Sequence, residues 1–320
     1  MRALLLLLAL PSALCVPFTP LDASQASKDP LSLLARPPPL LATNQGGLNF
    51  SELVVFGDEW SDDGTGAWKL TNGTWPSDPH YFEHRFTNGL TWVERLAGFL
   101  NVSTTSYAVA GATTSNDLVQ GSTGPARRTL VPSIAGQVDS YLSPAPDVTE
   151  TLYILQGGMN DFLFGQFENV KGAESAGEFG KAMLKLAQYG AQYILLANLP
   201  NTLTYPYASS NPFAQKPLAN FTLSFRDALS SFDEQRPNVA IVDFWALFSE
   251  IGDMGGLLGY EEGKLDEPCL VGVYEAADNV TVCSTPQSRV WWDEFNPTNT
   301  THAYMATVAY NTLKENGWIS

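Results

Sequence analysis

Short apolar runs that stop at a glycine or a small polar residue recur along the chain. Glu52-Leu53-Val54-Val55-Phe56 runs into Gly57-Asp58, and Ser106-Tyr107-Ala108-Val109-Ala110 runs into Gly111. Thr151-Leu152-Tyr153-Ile154-Leu155 precedes Gly157-Gly158, Tyr193-Ile194-Leu195-Leu196-Ala197 stops at Asn198, and Val239-Ala240-Ile241-Val242 stops at Asp243. Unbroken apolar runs of this length are the pattern of parallel strands buried on both faces. Between them lie stretches of helical period. In residues 91–100, Trp92, Leu96 and Phe99 share one face; residues 133–142, 176–189, 218–235 and 300–315 read as further helices. Strands alternating with helices predict an α/β fold, a three-layer αβα sandwich around a mostly parallel five-stranded sheet. Right-handed crossovers then put the functional loops at the carboxyl ends of the strands.

The first residues follow other rules. Arg2, the apolar run Ala3 to Leu10, and the small residues around Ala13-Leu14-Cys15 predict a cleaved secretory leader over residues 1–15. That run is too short for a membrane span, which needs roughly 20 apolar residues. Residues 16–48 hold Pro17, Pro20, Pro30 and the run Pro37-Pro38-Pro39, and read as an extended arm. Residues 49–320 remain as one domain.

Composition narrows the function classes. The formal charge is −16, and charged residues make up only 16% of the chain. The acidic balance argues against a nucleic-acid backbone or an anionic membrane as partner. Without the leader, Cys269 and Cys283 are an even pair on an oxidising route and are expected to form a disulfide. Sequons at Asn49, Asn72, Asn101, Asn220, Asn279 and Asn299 are glycosylation candidates.

Several strand ends carry motifs. Phe56-Gly57-Asp58-Glu59-Trp60-Ser61-Asp62-Asp63-Gly64 resembles the first block, GDSxSDxG, of the GDSL (SGNH) hydrolases. Arg85-Phe86-Thr87-Asn88-Gly89, followed by Trp92 and Glu94, is similar to the RFTNGxxWxE stretch of fungal carbohydrate esterases of family 16. Tyr107 to Thr113, Gly158-Met159-Asn160-Asp161, and Trp292-Asp293-Glu294-Phe295-Asn296-Pro297-Thr298 resemble the oxyanion-glycine, GxND and DxxHPT blocks. The resemblance covers roughly residues 50–318. It implies a flavodoxin-like sandwich and acyl transfer from an ester to water, with no cofactor and no metal. The family's Ser attacks the carbonyl, its His takes the proton, and an Asp orients the His. The resemblance casts Gly111 and Asn160 as oxyanion-hole donors and Asp293 as the orienting acid.

Two departures carry more weight than the matches. Glu59 stands at the nucleophile position and Asn296 at the base position. An amide cannot take a proton near neutral pH, and a carboxylate attacking an ester would form an anhydride. Loss of either partner in another serine hydrolase costs on the order of a million-fold in turnover. The expectation is a secreted, catalytically impaired esterase scaffold that binds a glycan or other partner, with Glu59 turned into the oxyanion hole. The alternative is an active ester hydrolase, a carbohydrate acetylesterase or lipase-like enzyme, working with non-standard residues. Ser61, His80, His84 and His302 are the candidates to rescue such chemistry, and all four read better as structural. A Glu59/Asp293 acid–base pair of glycosidase type is a further alternative. Asp58, Asp62 and Asp63 read as turn or capping groups rather than a Ca²⁺ loop. Acetylated carbohydrate, or another ester or glycan, is the expected cleft ligand, with some of Trp60, Trp68, Trp75, Tyr81, Trp291 and Trp292 as stacking platforms.

Overall fold

The computed structural model describes residues 48–143, 148, 150–165, 169–233, 236–274 and 280–320. The leader, the arm up to residue 47 and the sequon at Asn279 lie outside the described residues. Five strands form one parallel sheet: β1 (Glu52–Gly57), β2 (Ser103–Ser106), β3 (Thr151–Gln156), β4 (Tyr193–Ala197) and β5 (Val239–Val242), in the order β2-β1-β3-β4-β5. Strand β3 is buried along its whole length and β1 over all but Glu52, because helices cover both faces of the sheet.

Six longer helices supply those layers: α1 (Trp92–Leu100), α2 (Ile134–Tyr141), α3 (Gly172–Gln188), α4 (Pro212–Asp233), α5 (Phe244–Met254) and α6 (Asn299–Glu315). Helix α1 packs on α6, while α2 and α4 pack on α3. Trp92, fully buried, meets Phe244 of α5 edge-on at 5.2 Å. Among the described residues no helix is long and apolar enough to cross a membrane.

The second strand differs from expectation. It is Ser103–Ser106, upstream of the apolar run, in register with Glu52 to Val55. Among the described residues this edge strand has one neighbour, and its polar Ser-Thr-Thr-Ser side chains are largely exposed, so it lacks the apolar signature of the inner strands. The apolar residues follow it as a loop that still donates from Tyr107 N and Val109 N to the Val55 and Gly57 carbonyls. Helix α4 begins six residues earlier than the periodicity suggests; Pro217, its sixth residue, removes one hydrogen bond back to the first turn, and packing on α3 carries the helix through it. Helix α5 carries no anticipated pattern; Asp243 caps it by accepting from Ala246 N.

Cys269 and Cys283 are joined by a disulfide. It ties together a small antiparallel hairpin, Leu270–Val271 with Thr281–Val282, at the rim of the cleft described next.

Candidate functional site

The chain reverses direction across the sheet between β1 and β3: β2 lies on one side of β1, and β3 to β5 on the other. A crevice opens at the carboxyl ends of such a switch point. Glu59 lies just beyond β1, and Asn160 is the second residue of the short helix Met159–Phe164 just beyond β3. Gly57 is fixed on both sides, its N–H donating to Gln137 Oε1 at 2.8 Å and its carbonyl accepting from Gln137 Nε2 at 2.9 Å.

Glu59 Oε2 accepts from Gly111 N at 3.0 Å and from Asn160 Nδ2 at 2.8 Å. These are the two groups cast above as oxyanion-hole donors. Gly111 adopts φ +89°, and a Cβ there would sit 2.1 Å from the Ser122 carbonyl, so only glycine presents its N–H in this direction. Asn160 is oriented by its second bond, to Ala112 O at 3.1 Å.

The turn after β1 is built on carboxylates. Asp62 Oδ1 accepts from Gly64 N and Gly66 N, and Oδ2 from Ala67 N and Ala110 N, at 2.9 to 3.1 Å. It thereby locks the first motif to the loop of Gly111. Asp161 accepts from Thr114 N at 2.9 Å and from the Thr114 hydroxyl, holding the other end of that loop. Burial pushes Asp62 and Asp161 each up to about 6, against the hydrogen bonds that favour their charged forms. Burial, and then the adjacent Glu59 charge, holds Asp58 well above the usual carboxylate range.

These shifts predict a pH dependence. A carboxyl raised in the folded state contributes stability that is full below its unfolded pKa and lost as pH rises through its folded value. Lowering pH from 7.5 to 5 should therefore stabilise the fold by about 1 kcal/mol for each of Asp62 and Asp161, or ~5 °C in thermal midpoint together. Calorimetry that finds the midpoint falling over this interval would contradict the assignment.

Asp293 is fully buried, bonded to Tyr274 and Asn296 of the cleft lining. Its Oδ2 accepts from Tyr81 OH at 2.6 Å, Tyr274 OH at 3.1 Å and Asn296 Nδ2 at 2.9 Å. Its Oδ1 accepts from the backbone N–H groups of Phe295 and Asn296, both at 2.8 Å, and from Asn296 Nδ2 at 3.0 Å. Burial pushes its pKa up, and this ring of donors opposes the shift. Asp293 thus has neither exposure nor a spare proton acceptor on hand, so the glycosidase-type pair with Glu59 does not face across an open groove. Tyr81 and Tyr274 were not anticipated as partners of Asp293; tyrosines 212 and 19 residues away carry no local signal.

The chain has three histidines. His80 bonds Asp78 on the surface and His84 stacks on Trp68 with ring centroids 3.5 Å apart. His302 is buried in α6, where Nδ1 accepts from Trp92 N at 3.2 Å. Burial, then the charge of Arg95, pulls it down to about 3, so it is neutral. Ser61 is also buried; its hydroxyl donates to Gln156 Oε1 at 2.7 Å and accepts from Trp92 Nε1. None of the four reaches the cleft as a nucleophile or base.

The RFTNG stretch supports the last block from behind. Arg85 forms a two-pronged bond with Glu94, at 2.9 and 2.7 Å, and Glu94 also accepts from Thr91 at the start of α1. Thr87 donates to Pro297 O, and Asn88 accepts from Asn299 N. Only Phe86 of the stretch lines the cleft, a cavity of about 500 Å³ that also meets Glu59, Asn296, Trp75, Tyr274 and Phe295. Of the aromatic residues named from sequence, Trp75 lines this cavity, whereas Trp60 and Trp291 pack into the core with Phe248. Of the sequons, Asn49, Asn72, Asn101 and Asn220 are exposed, Asn49 also donating to Trp318 O, and the half-buried Asn299 is paired with Arg95.

Two donors converging on a side chain at a strand end, with a buried acid opposite, give the chain the architecture of an α/β ester hydrolase. The GDSL-like lipase/acylhydrolase family model matches residues 53–308, and the chain belongs to that family. It is 24% identical over 275 residues to the thermolabile hemolysin of Vibrio parahaemolyticus, covering 80% of this chain and 62% of that protein. It is 31% identical over 162 residues to the phosphatidylcholine-sterol acyltransferase of Aeromonas hydrophila, covering 50% and 48%. The chain thus spans about half to two thirds of the length of these relatives. Among solved structures, a G-D-S-L family lipolytic protein of Veillonella parvula aligns with TM-score 0.47 and 15% identity, covering 82% of this chain and 98% of that one. A catalytic mutant of an acetylxylan esterase of Geobacillus stearothermophilus aligns with TM-score 0.46 and 15% identity, covering 88% and 99%.

Proposed function

We propose that this chain is a secreted GDSL-family protein that binds a ligand in its cleft and does not hydrolyse it. The observation that carries the reading is the double bond from Gly111 N and Asn160 Nδ2 to the Glu59 carboxylate. These donors would stabilise a developing oxyanion only if they were free. Here the protein's own carboxylate sits where an acid product would lie, and it repels a second negative charge. Asn296, at the place of the base, spends its amide hydrogens on Asp293 and can take no proton. The RFTNG stretch and the aromatic lining support the carbohydrate-esterase branch of the family and a glycan-like ligand. The leader pattern and the Cys269–Cys283 bond support an extracellular location, with glycans at Asn72, Asn101 and Asn220.

The test is acetate release from acetylated xylo-oligosaccharides and from nitrophenyl acetate, with Glu59→Ala as control. Wild type is expected to match the control. A wild-type rate clearly above it overturns the reading in favour of an active hydrolase.

A further inference from the structure

The inner end of the cleft has the hydrogen-bond polarity opposite to that of an ester-cutting site. Glu59 Oε2 consumes both hole donors, whereas Oε1 has no hydrogen-bond partner among the described residues. Asn296 borders the same cleft, is 1% exposed, and leaves its Oδ1 without a partner. The donors nearby are already engaged: Asn160 Nδ2 on Glu59 and Ala112, and the Tyr81 and Tyr274 hydroxyls and Asn296 Nδ2 on Asp293. A ligand therefore meets acceptors and a negative charge. Against these two oxygens an ester carbonyl, carboxylate or phosphate would find nothing to accept from, and a buried acceptor left unpaired is costly. A group with N–H donors and positive charge satisfies both oxygens. The walls agree, since Trp75, Phe86, Tyr274 and Phe295 supply aromatic surface for the apolar or sugar stem of such a cation. Arg127, a cation of the same lining, lies over the Phe164 ring at 4.7 Å and forms no ion pair with Glu59.

We infer that the cleft takes a protonated primary amine, its ammonium seated between Glu59 Oε1 and Asn296 Oδ1 and its stem against the aromatic walls. The inference rests on the non-hydrolytic reading, because it needs the Glu59 carboxylate to stay in place. A quaternary ammonium, which has no N–H, leaves the Asn296 acceptor unpaired and binds less well.

Calorimetric titration of the full chain tests this with matched probes. One set is phenethylamine, its neutral isostere 2-phenylethanol and its trimethylammonium analogue. The other is a glucosamine trisaccharide and its N-acetylated counterpart. In at least one set the primary amine should bind roughly tenfold or more tightly than its uncharged partner. The set in which this holds identifies the source of the amine, aryl or sugar. Phenethylamine should also exceed its trimethyl analogue if the aryl set responds. Glu59→Gln should reduce amine affinity by about tenfold while the thermal midpoint stays within about a degree, since the amide keeps the shape and turns an N–H₂ towards the ligand. Equal affinity for charged and uncharged partners, no loss in Glu59→Gln, or no amine binding below roughly 10 mM overturns the inference. If amines fail to bind and acetate release is also absent, only the amine assignment falls. Acetate release above the Glu59→Ala control is a separate result that removes the non-hydrolytic reading itself.

Discussion

Exchanging Glu59→Ser together with Asn296→His should give the protein esterase activity on nitrophenyl acetate at least about a hundredfold above wild type. Each half of the change does one thing. Serine withdraws the carboxylate from Gly111 N and Asn160 Nδ2, so both donors become available to a tetrahedral intermediate. Histidine replaces an amide whose hydrogens already point at both Asp293 oxygens, at 2.9 and 3.0 Å, so an imidazole N–H can take over that bond. Asp293 is held independently by Tyr81 and by the backbone of residues 295 and 296, so it should keep its place. Nucleophile and base act as a unit, and the single changes should therefore give little. A folded double variant no faster than wild type would show that the cleft, and not only two side chains, has lost the geometry for hydrolysis.

The second large effect concerns stability. Asp293→Ala should lower unfolding free energy by about 3–5 kcal/mol, seen as a fall of about 10 °C in thermal midpoint. Two tyrosine hydroxyls, an amide and two backbone N–H groups converge on this one buried carboxylate. Its removal strands several donors away from water at once, which is far costlier than the loss of an average hydrogen bond. The carboxylate pins together the loop of Tyr81, the segment of Tyr274 beside the disulfide and the turn of Asn296. A variant with an unchanged midpoint would mean that these loops hold without it.

Much of the frame was legible because burial writes itself into composition. The inner strands β1, β3, β4 and β5 are apolar on both faces and were readable as runs ending in Gly, Asn or Asp. The edge strand escaped because a strand with one partner and exposed side chains carries no such run. Helix α4 was read short because Pro217 breaks the local propensity while tertiary packing on α3 continues the helix through it. The motifs mark Glu59, Gly111, Asn160, Asp293 and Asn296, but local order does not say what each side chain faces. Ser61, two positions after Glu59, looks like a spare nucleophile on paper and is a core hydroxyl in space.

By itself the chain's sequence determined the alternation of strands and helices, the strand ends where polar chemistry sits, and the absence of a serine and a histidine from positions 59 and 296. Hydrophobic period and residue identity are local properties, and they suffice for that. Only the tertiary structure decided that the Glu59 carboxylate fills the donors of Gly111 and Asn160, 52 and 101 residues away, and that Asp293 is saturated by Tyr81 across 212 residues. Such pairings depend on where crossovers and loops bring backbone ends together, and no spacing along the chain encodes a direction in space.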